Sequence, residues 1–435
     1  MTSHVVIIGA GIVGAATAVE LLKDGHSVTI VESGQPGGRQ AASYGNSGWL
    51  SPASIIPMSM PGLWKKVPGM IADPTGPLAI RWRHIIRLAP WLFHFIAAGA
   101  TVTRAERTAS ILSSLLHDAP DRHEKLASEI GRSDLILRKG LIYVYPDRKA
   151  FKAEAFAWEL RRRNGVGFSE LSSAKLHELE PGLAEHYSFA VLVEKGGHCI
   201  DPGGYVASIV AHAVKLGAKL VAAKATGFEM AGQKLSAVRT EAGSIACDRA
   251  IIAAGIYSKA LAAMAGDNVP LESERGYHVV VPDSIAKGEM PLMPVDGKMG
   301  NNPTLAGLRI AGQVELAGTG EEPDWARAKI LLQHAQRTYS ALSIPFDESR
   351  VDRWMGHRPS TPDGLPVIGR SRQTADIVYA FGHGHVGLAT GPVTGRIVAD
   401  LLAGRPTAAM TDSLSASRFR NGGKKAFPYI ASGKQ

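Results

Sequence analysis

The N-terminal part of the chain alternates between two patterns of apolar residues. Residues 5–8 form a β-branched run typical of a buried strand, and residues 15–23 place apolar side chains at helical spacing before Gly25. A second β-branched run covers residues 27–31 and ends on Glu32. A strand, a turn, a helix and a second strand in this order predict a βαβ unit and therefore an α/β fold.

The same patterns predict further elements along the rest of the chain. Strands and helices interleave along it, and no single linker is visible. The predicted elements are a strand pair around Lys139-Gly140 within residues 135–147, a charged helix over 148–164, a helix that opens at Asp201, a buried strand within 247–258, strands over 277–281 and 305–317, a charged helix over 323–342, and a strand, glycine loop and long helix over 377–404.

Three glycines occupy the turn between the first strand and the first helix. Gly9 permits a tight turn, Gly11 lets the backbone approach a pyrophosphate, and Gly14 lets helix and strand pack closely. The amides at the start of the helix would bind the phosphates, and Glu32 would bind ribose hydroxyls and repel a 2′-phosphate. We therefore predict a dinucleotide site that disfavours NADP; the alternative is a plain strand-to-helix turn. The residues expected at this site are Gly9, Gly11, Ile12, Val13, Gly14 and Glu32.

Composition limits the class of protein. The 435 residues are 45% hydrophobic and 20% charged, which is ordinary for a folded protein with two domains. The 48 Lys and Arg exceed the 39 Asp and Glu and give a formal charge of +9, compatible with nucleic acid, an anionic membrane surface or an anionic substrate. The sequence has no nucleic-acid motif and no basic stripe with interleaved aromatic residues, so we expect no nucleic-acid partner. Cys199 and Cys247 have neither metal nor disulfide spacing, which is typical of a reducing compartment.

The most lipid-like stretch is residues 85–100. Arg87, Pro90 and His94 interrupt it, and it is too short to cross a bilayer. We expect it to be a core helix of a second domain. The alternative is a helix that lies in a membrane interface. Accordingly we expect a cytoplasmic protein, and the alternative adds peripheral contact with the inner face of the membrane.

The residues after Glu32 carry a resemblance to a known family. The segment "VESGQPGGRQAASYGNSGWLSP", residues 31–52, resembles the corresponding part of the FAD-dependent D-amino-acid oxidase superfamily. Its detail "ASYGNSGWLSP", with "GPLAIR" at 76–81, is similar to the bacterial D-amino-acid dehydrogenases of the small-subunit type. With the C-terminal matches, the resemblance covers nearly the whole chain and implies FAD as the cofactor. It implies FAD contacts from Ser33, Gln40, Ser43, Asn46, Gly48, Leu50, Thr226, Ala254 and Gly255. The alternative for the polar residues of the first segment is a loop held by its own side-chain hydrogen bonds.

The resemblance also implies the domain organisation. A Rossmann-like FAD-binding domain would consist of residues 1–55, 180–260 and 350–420. An α+β substrate domain, built on an antiparallel or mixed sheet, would consist of residues 56–179 and 261–349. The two domains are thus expected to be interleaved.

The stretch "GHRPSTPDGLPVIG", residues 356–369, matches a pattern of the superfamily in which an arginine pairs with the substrate carboxylate. By this resemblance Arg358 would hold the carboxylate, which a planar guanidinium does with two parallel charge-assisted hydrogen bonds. The alternative is a surface salt bridge. The other catalytic candidates are His357, which replaces a leucine common in the dehydrogenases, and Tyr277, which would lie over the flavin or in the core.

A glycine-rich loop precedes the last long helix. The resemblance implies that this loop faces the flavin through Gly382, His383, Gly384, Val386, Gly387 and Leu388. Backbone amides and the positive helix end would there stabilise negative charge on the reduced ring. His383 and His385 lack a third ligand, so we expect no metal site.

These features predict an FAD-dependent oxidoreductase that deaminates a D-amino acid to the 2-oxo acid and ammonia. A hydride would pass from Cα to flavin N5, and a quinone or another carrier would take the electrons. Related oxidases often place a tyrosine where this chain has Met299, Asn301 and Asn302, so a D-hydroxyproline-, sarcosine- or glycine-type amine oxidoreductase is an alternative. The alternatives from other classes are an FAD-binding subunit of a multi-subunit dehydrogenase and an NAD-dependent dehydrogenase. Stereochemistry, electron acceptor and oligomeric state stay open at this point.

Overall fold

The computed structural model describes residues 2–407 and 411–420. Its strands are β1 (His4–Ile8), β2 (Ser27–Glu32), β3 (Trp49–Leu50), β4 (Leu78–Ile80), β5 (Ile136–Leu137), β6 (Leu141–Tyr145), β7 (Ser169–Ser172), β8 (Phe189–Val193), β9 (Gly197–Cys199), β10 (Lys219–Ala222), β11 (Ala225–Ala231), β12 (Lys234–Thr240), β13 (Gly243–Ala246), β14 (Arg249–Ile252), β15 (Glu272–Val281), β16 (Leu292–Pro294), β17 (Gly300–Thr304), β18 (Gly307–Leu316), β19 (Asp352–Ser360), β20 (Val367–Arg370) and β21 (Ile377–Phe381). Its helices are α1 (Ile12–Lys23), α2 (Leu63–Ala72), α3 (Ile85–Ala98), α4 (Val102–Leu116), α5 (Ala119–Glu129), α6 (Arg148–Ala153), α7 (Ala155–Arg163), α8 (Ser173–Leu179), α9 (Pro202–Lys215), α10 (Ser258–Met264), α11 (Ala326–Thr338), α12 (Gly387–Ala403) and α13 (Thr411–Leu414).

Six strands form a largely parallel sheet in the order β10, β2, β1, β14, β21, β20. Its neighbouring strands are parallel except β20, which is antiparallel to β21. Val5 and Ile7 of β1 point into an apolar cluster shared with α1, α9 and α12, whereas Val6 and Ile8 point into a second cluster that includes residues of α10. Burial on both faces explains why the strand is an unbroken apolar run. The predicted α/β class and its βαβ start are confirmed.

Helix α12 packs directly on α1 beside this sheet. A Cβ built at Gly391 would lie 2.6 Å from the Ile12 side chain, and one built at Gly395 would lie 2.9 Å from the backbone of Ala16. The two helices therefore approach so closely that larger residues do not fit between them.

Nine strands form a larger mixed sheet in the order β19, β15, β18, β17, β16, β6, β8, β7, with β4 paired to β18. Helix α11 covers one face of β15 and β18, where Tyr277 and Val279 are buried in one cluster with Leu331. β18 has a bulge opposite β15, and Gln313 in this bulge has a φ of +59°. Two three-stranded sheets, β11–β12–β13 and β3–β9–β5, flank the two large ones.

The strands of the parallel sheet all lie within residues 1–55, 180–260 and 350–420. The larger sheet departs from the predicted domain boundaries at two strands. β8 and β19 lie in segments predicted for the first domain, yet both pair within the larger sheet. The predicted strand pair around Lys139-Gly140 is wrong, because β5 pairs with β9 in a small sheet while β6 pairs with β8 and β16.

Helix α3 contains most of the apolar stretch at 85–100. One of its faces packs on the larger sheet, where Leu88 and Trp91 are buried. The opposite face is apolar but open to solvent, since Ile86 is 85% exposed and Phe93 is 72% exposed. The expectation of a core helix therefore holds for one face only.

Among the described residues, one helical stretch is long and apolar enough, by length and composition, to cross a membrane, or two if a bent pair of helices counts as one span. One runs from Gly384 to Ala403, and half of it is buried inside the protein, where it packs on α1. The other is a pair of helices, Trp82–Ala98 and Val102–Glu129, bent by 93°. The packing of the first stretch on α1 makes it a core helix of the parallel-sheet domain.

Gly395→Val is expected to destabilise the fold, because the added side chain overlaps the backbone of α1. We expect the free energy of unfolding to fall by about 1–3 kcal/mol, as overpacking of a tight contact typically costs. Urea denaturation followed by circular dichroism measures the change. Gly167→Val is the matched control, because a Cβ at Gly167 has nothing within 4 Å. Equal denaturation midpoints for both variants would contradict the tight packing of α12 on α1.

Candidate active site

The turn between β1 and α1 leaves no room for side chains at Gly9 and Gly14. Gly9 has a φ of +105°, its N–H donates to the Val31 carbonyl at 2.8 Å, and a Cβ there would lie 2.5 Å from the carbonyl oxygen of Ala253. A Cβ at Gly14 would overlap the carbonyl oxygen of Gly9. The first amides of α1 have no partner within the helix, and its N-cap residue, Gly11, offers them no side chain. The turn is therefore a backbone cradle of the kind that binds phosphate.

Glu32 ends β2 beside this cradle. Its carboxylate accepts the N–H of Ala10 at 2.7 Å and the N–H of Gly34 at 3.0 Å. These two donors fix the carboxylate at the carboxyl edge of the parallel sheet, where nucleotide sites form. Ser33, a second predicted contact, follows directly at the same edge.

The segment that follows Glu32 makes one direct contact with the cradle. The Ser43 hydroxyl accepts the N–H of Ile12, the first residue of α1, at 3.1 Å. Gln40 donates to a carbonyl of its own loop at 2.5 Å, and Asn46 accepts an N–H of its own loop at 2.8 Å. Gln40 and Asn46 thus hold the loop together, and their contact with FAD stays a prediction.

The end of this segment meets the larger sheet. Gly48 has a φ of +88°, and a Cβ there would lie 2.6 Å from Nδ2 of Asn302 in β17. Asn302 donates to the Cys199 carbonyl at 3.2 Å, and Leu50 is fully buried in β3. The loop between β2 and β3 therefore lies between the two large sheets.

The other residues predicted to contact FAD approach the same edge of the parallel sheet. The Cα of Ala254 lies 3.0 Å from the position of a Cβ on Gly9, and the next residue, Gly255, has a φ of +55°. Thr226 is the bulged residue of β11. The chain leading into β11 donates an N–H to the Glu32 carbonyl at 3.0 Å. The structure thus gathers these residues beside the cradle and Glu32.

A second glycine turn leads from β21 into α12 and faces the end of β19. Gly382 and Gly384 have φ of +81° and +50°, and a β-bridge joins His383 to Ser360, the last residue of β19. The His383 Nε2 lies 3.0 Å from the Thr394 hydroxyl, and burial lowers the pKa of this imidazole to about 3. His383 is therefore neutral and holds the turn in place.

The predicted residues after His383 form the start of α12. Val386 precedes the helix and Gly387 is its first residue. Leu388 is buried, and its carbonyl lies 2.9 Å from Nε2 of His123. The first amides of this helix have no partner within it, so its positive end opens at the second glycine turn.

One face of β15 and β19 is turned toward the parallel-sheet domain, and we call it the inner face. Its residues alternate with those on the α11 side, and they are Glu274, Gly276, His278, Trp354, Gly356 and Arg358. The Nδ1 of His278 lies 3.2 Å from the Gly45 carbonyl, and the Nε1 of Trp354 donates to the Arg39 carbonyl at 2.7 Å. The inner face therefore packs on the loop between β2 and β3.

Arg358 is the cation of the inner face. Its guanidinium lies over Gly276, where a Cβ would overlap it, and donates to the carbonyls of Gln313 at 2.9 Å and Gly312 at 3.3 Å. Burial lowers the pKa of this guanidinium, although the charge of Glu274 acts in the opposite direction. Within residues 2–407 and 411–420, no carboxylate forms an ion pair with Arg358. The alternative of a surface salt bridge is therefore wrong.

The structure does not bring the other two catalytic candidates to Arg358. Tyr277 and His357 lie on the opposite face of the strands, toward α11, because side chains alternate along β15 and β19. The Tyr277 hydroxyl donates to Glu315 at 2.5 Å, and the His357 Nδ1 lies 2.8 Å from the Ser273 hydroxyl. Of the two positions expected for Tyr277, the structure shows the one in the core, and the expected position over the flavin is wrong.

An ionisable pair beside Arg358 escaped the sequence analysis. Glu274, directly opposite Arg358 on β15, is only 5% exposed, and its Oε2 lies 2.7 Å from the Nε2 of His385 in the second glycine turn. Burial raises the pKa of Glu274. The hydrogen bond and charge of His385 and the charge of Arg358 act in the opposite direction and outweigh burial, so the pKa of this carboxyl group is lowered and the carboxylate is ionised. No alternation of apolar and polar residues marks Glu274 in the sequence, because Ser273 and Arg275 flank it.

The chain matches the model of the DAO family, described as FAD dependent oxidoreductase, over residues 4–401, and it belongs to that family. The resemblance found in the sequence is confirmed, and FAD is the cofactor of this oxidoreductase. The glycine cradle and the fixed carboxylate of Glu32 fit such a dinucleotide, since the cradle exposes backbone amides where a Cβ would intrude. The alternative of an NAD-dependent dehydrogenase is overturned by the family match.

Curated relatives are similar over nearly the full chain. The D-amino-acid oxidase of Bradyrhizobium diazoefficiens is 50% identical, over 96% of this chain and 99% of that protein. The D-amino acid dehydrogenase of Paramagnetospirillum magneticum is 32% identical, over 95% of this chain and 98% of that protein. The fold is similar to glycine oxidase from Geobacillus kaustophilus, with a TM-score of 0.73 at 22% identity over 96% of this chain and 99% of that chain. It is also similar to L-proline dehydrogenase from P. horikoshii, with a TM-score of 0.72 at 20% identity over 96% and 98% of the two chains.

Glu32→Ala is expected to weaken FAD binding by about 10- to 100-fold, because the loss of hydrogen bonds to a charged group costs about 1.5–3 kcal/mol. Titration of the apoprotein with FAD, followed by flavin fluorescence, measures the dissociation constant. Glu241→Ala, at an exposed glutamate outside the cradle, is the control and should bind FAD like the wild type. An unchanged dissociation constant in Glu32→Ala would show that the carboxylate does not contact the cofactor.

Proposed function

We propose that this chain uses FAD to oxidise the Cα–N bond of a D-amino acid, with the 2-oxo acid and ammonia as products. The observation that carries the proposal is the guanidinium of Arg358, which lies on the inner face without a carboxylate partner among the described residues. A planar cation in such a position favours a substrate that brings its own carboxylate. The identities of 50% to a D-amino-acid oxidase and 32% to a D-amino acid dehydrogenase support a D-amino acid as that substrate.

The residues of this chain act mainly by orientation and charge. FAD, when bound, supplies a two-electron oxidant that accepts a hydride from Cα. Arg358 holds the substrate carboxylate in two parallel hydrogen bonds, so that rotation about this end is restricted and Cα keeps one position. The amine is neutral when the hydride leaves, and the resulting imine is hydrolysed by water. This reaction needs no nucleophile from the protein.

Two related functions compete with this proposal. A glycine-, sarcosine- or hydroxyproline-type amine oxidoreductase would share the fold, as the similarity to glycine oxidase illustrates. An FAD-binding subunit of a larger dehydrogenase would bind flavin without turnover. A substrate panel of D- and L-alanine, D- and L-proline, D-hydroxyproline and N-methylglycine, assayed with an artificial dye as electron acceptor, distinguishes all three functions.

Arg358→Leu is expected to raise the KM for the best D-amino acid of this panel about 30-fold or more, because truncating one partner of a buried charge pair costs about 2–5 kcal/mol. Steady-state kinetics with the dye acceptor measure the KM, and the flavin absorbance of the purified protein shows that FAD occupancy is unchanged.

Arg353→Leu is the matched control for this variant. Arg353 lies on the same strand as Arg358, but it is exposed and on the face turned away from the inner face. Its loss should leave the KM within about two-fold of the wild type, as surface charges usually do. A wild-type KM in Arg358→Leu would end the assignment of the carboxylate site.

Peripheral contact with an anionic membrane, which would bring a membrane quinone within reach as electron acceptor, is part of the proposal. The contact would use the solvent-exposed side of α2, of the turn before α3 and of α3 itself, which we call the α2–α3 surface. Its apolar and basic side chains are Trp64, Lys65, Trp82, Arg83, Ile86, Arg87 and Phe93. Asp73 is the only acidic residue between positions 54 and 105. Aromatic and aliphatic groups among basic ones favour binding at the surface of anionic lipid.

The double variant Ile86→Asp with Phe93→Asp is expected to lose binding to anionic vesicles by at least about 10-fold, because each buried apolar side chain contributes about 1.5–3 kcal/mol. Cosedimentation with vesicles of phosphatidylcholine and phosphatidylglycerol measures the binding to lipid. Turnover of the double variant with a soluble dye should be unchanged. Ile344→Asp, at a residue exposed elsewhere, is the control. Vesicle binding equal to that of the wild type in the double variant would refute the membrane contact.

A further inference from the structure

We propose that Glu274 and His385 form the ammonium site of the substrate pocket. The Glu274 carboxylate is the counter-ion of the substrate's α-ammonium group, and His385 accepts the proton that this group loses before the hydride leaves Cα. The inference rests on the proposed function, since it requires an amino acid whose carboxylate is bound at Arg358.

The placement of two opposite charges on the inner face supports this site. Arg358 and Glu274 are direct cross-strand partners, and the Cβ atoms of such partners lie about 4.5–5.5 Å apart. The two side chains nevertheless engage other groups, since Arg358 donates to the carbonyls of the β18 bulge and Glu274 bonds His385. Gly276, the next inner-face residue of β15, adds no side chain between them and the flavin-binding domain. A cation and an anion held side by side but unpaired complement the two charges of an amino-acid zwitterion.

Two charged groups act on the Glu274 carboxylate, one from each neighbouring element. They are His385 of the second glycine turn and Arg358 of β19. Arg275, the next residue on β15, lies on the α11 face, 3.5 Å from Glu315. The ring of His383, in the same turn as His385, is neutral and bonded within α12.

Two further residues near the pair make contacts of their own. Glu272 shares the inner face of β15, but its carboxylate accepts the N–H of Ser273 at 3.0 Å. From α3, the indole N–H of Trp91 donates to the Ser360 carbonyl, at the end of β19, at 3.2 Å. The charged groups that act on the Glu274 carboxylate are thus those of His385 and Arg358.

The proton transfer follows from the chemistry of the amine. An α-ammonium nitrogen has no lone pair, so it cannot form the C=N bond while the hydride leaves. In the transfer one N–H bond of the ammonium breaks, the amine keeps the electron pair, and the proton bonds to the lone pair of the unprotonated form of the His385 imidazole. When the Nε2–H of His385 donates to Glu274, that lone pair is on Nδ1. The imidazolium that results lies 2.7 Å from the Glu274 carboxylate, and its side chain is 33% exposed, so the proton can pass on to water.

The first test uses Glu274→Gln in the FAD-loaded protein with two ligands, D-alanine and propionate, which is alanine without its amino group. We expect the KM for D-alanine to rise about 10-fold or more, because the ammonium loses its counter-ion. Propionate should bind as tightly as to the wild type or more tightly, because a negative charge near its carboxylate is gone. Perturbation of the flavin absorbance measures propionate binding. If the role of Glu274 were merely structural, the substitution would weaken the binding of D-alanine and of propionate alike.

The second test uses His385→Asn and the pH dependence of flavin reduction by D-alanine in a stopped-flow instrument. At neutral pH we expect the rate to fall about 10²-fold or more, which is typical for the loss of a general base. The rate should recover as the pH rises toward the range in which the free amino acid loses its own ammonium proton. His117→Asn is the control, because His117 is exposed and lies 3.9 Å from a surface carboxylate, that of Asp118.

The outcomes separate this inference from the function on which it rests. Equal effects of Glu274→Gln on D-alanine and propionate, or an unchanged pH profile in His385→Asn, would overturn the ammonium site. The proposed function would still stand if the wild type oxidised a D-amino acid and Arg358→Leu weakened the binding of both D-alanine and propionate. Failure of every amino acid of the panel to reduce the wild-type flavin would instead overturn the proposed function itself.

Discussion

The antiparallel pairing of β15 with β19 is the constraint on which the candidate site depends. The register runs from Glu272 opposite Ser360 to Val280 opposite Asp352, and it places Arg358 beside Glu274 on the inner face. A slip of one residue would send Arg358 to the other face, because side chains alternate along a strand. Burial of Tyr277 against α11 selects the observed register. A packing requirement on one face of the sheet therefore decides where the cation lies on the other.

The bulge in β18 makes the position of this cation possible. A guanidinium removed from water without a carboxylate partner is costly, because its charge loses hydration. The extra residue of the bulge turns the carbonyls of Gly312 and Gln313 toward Arg358, and their dipoles offset part of that cost. The positive φ of Gln313 is a local strain that this arrangement requires. Carbonyl dipoles leave the full positive charge of the guanidinium in place. The free energy of binding a carboxylate is therefore more favourable here than at a hydrated surface arginine.

The parts of the site that are local in sequence could be predicted from it. The glycine cradle and Glu32 lie within one βαβ unit, and Gly9 and Gly14 meet steric demands that their spacing predicts. The face on which Tyr277 lies depends on pairing with a strand far along the chain, and the apolar run from Val279 onward did not show which face was the core. The contact of Glu274 with His385 joins residues 111 positions apart. The error at Lys139-Gly140 has the same origin, because β5 and β6 find their partners in distant segments rather than in each other.

Helix α3 connects the exterior of the protein to the strand that carries Arg358. The buried indole of Trp91 donates to the carbonyl of Ser360, and Ser360 also forms the bridge to His383 that positions the second glycine turn. The opposite side of the same helix presents Ile86 and Phe93 to solvent. The hydrogen bond of Trp91 therefore links the position of α3 to the end of β19 and, through Ser360, to the second glycine turn.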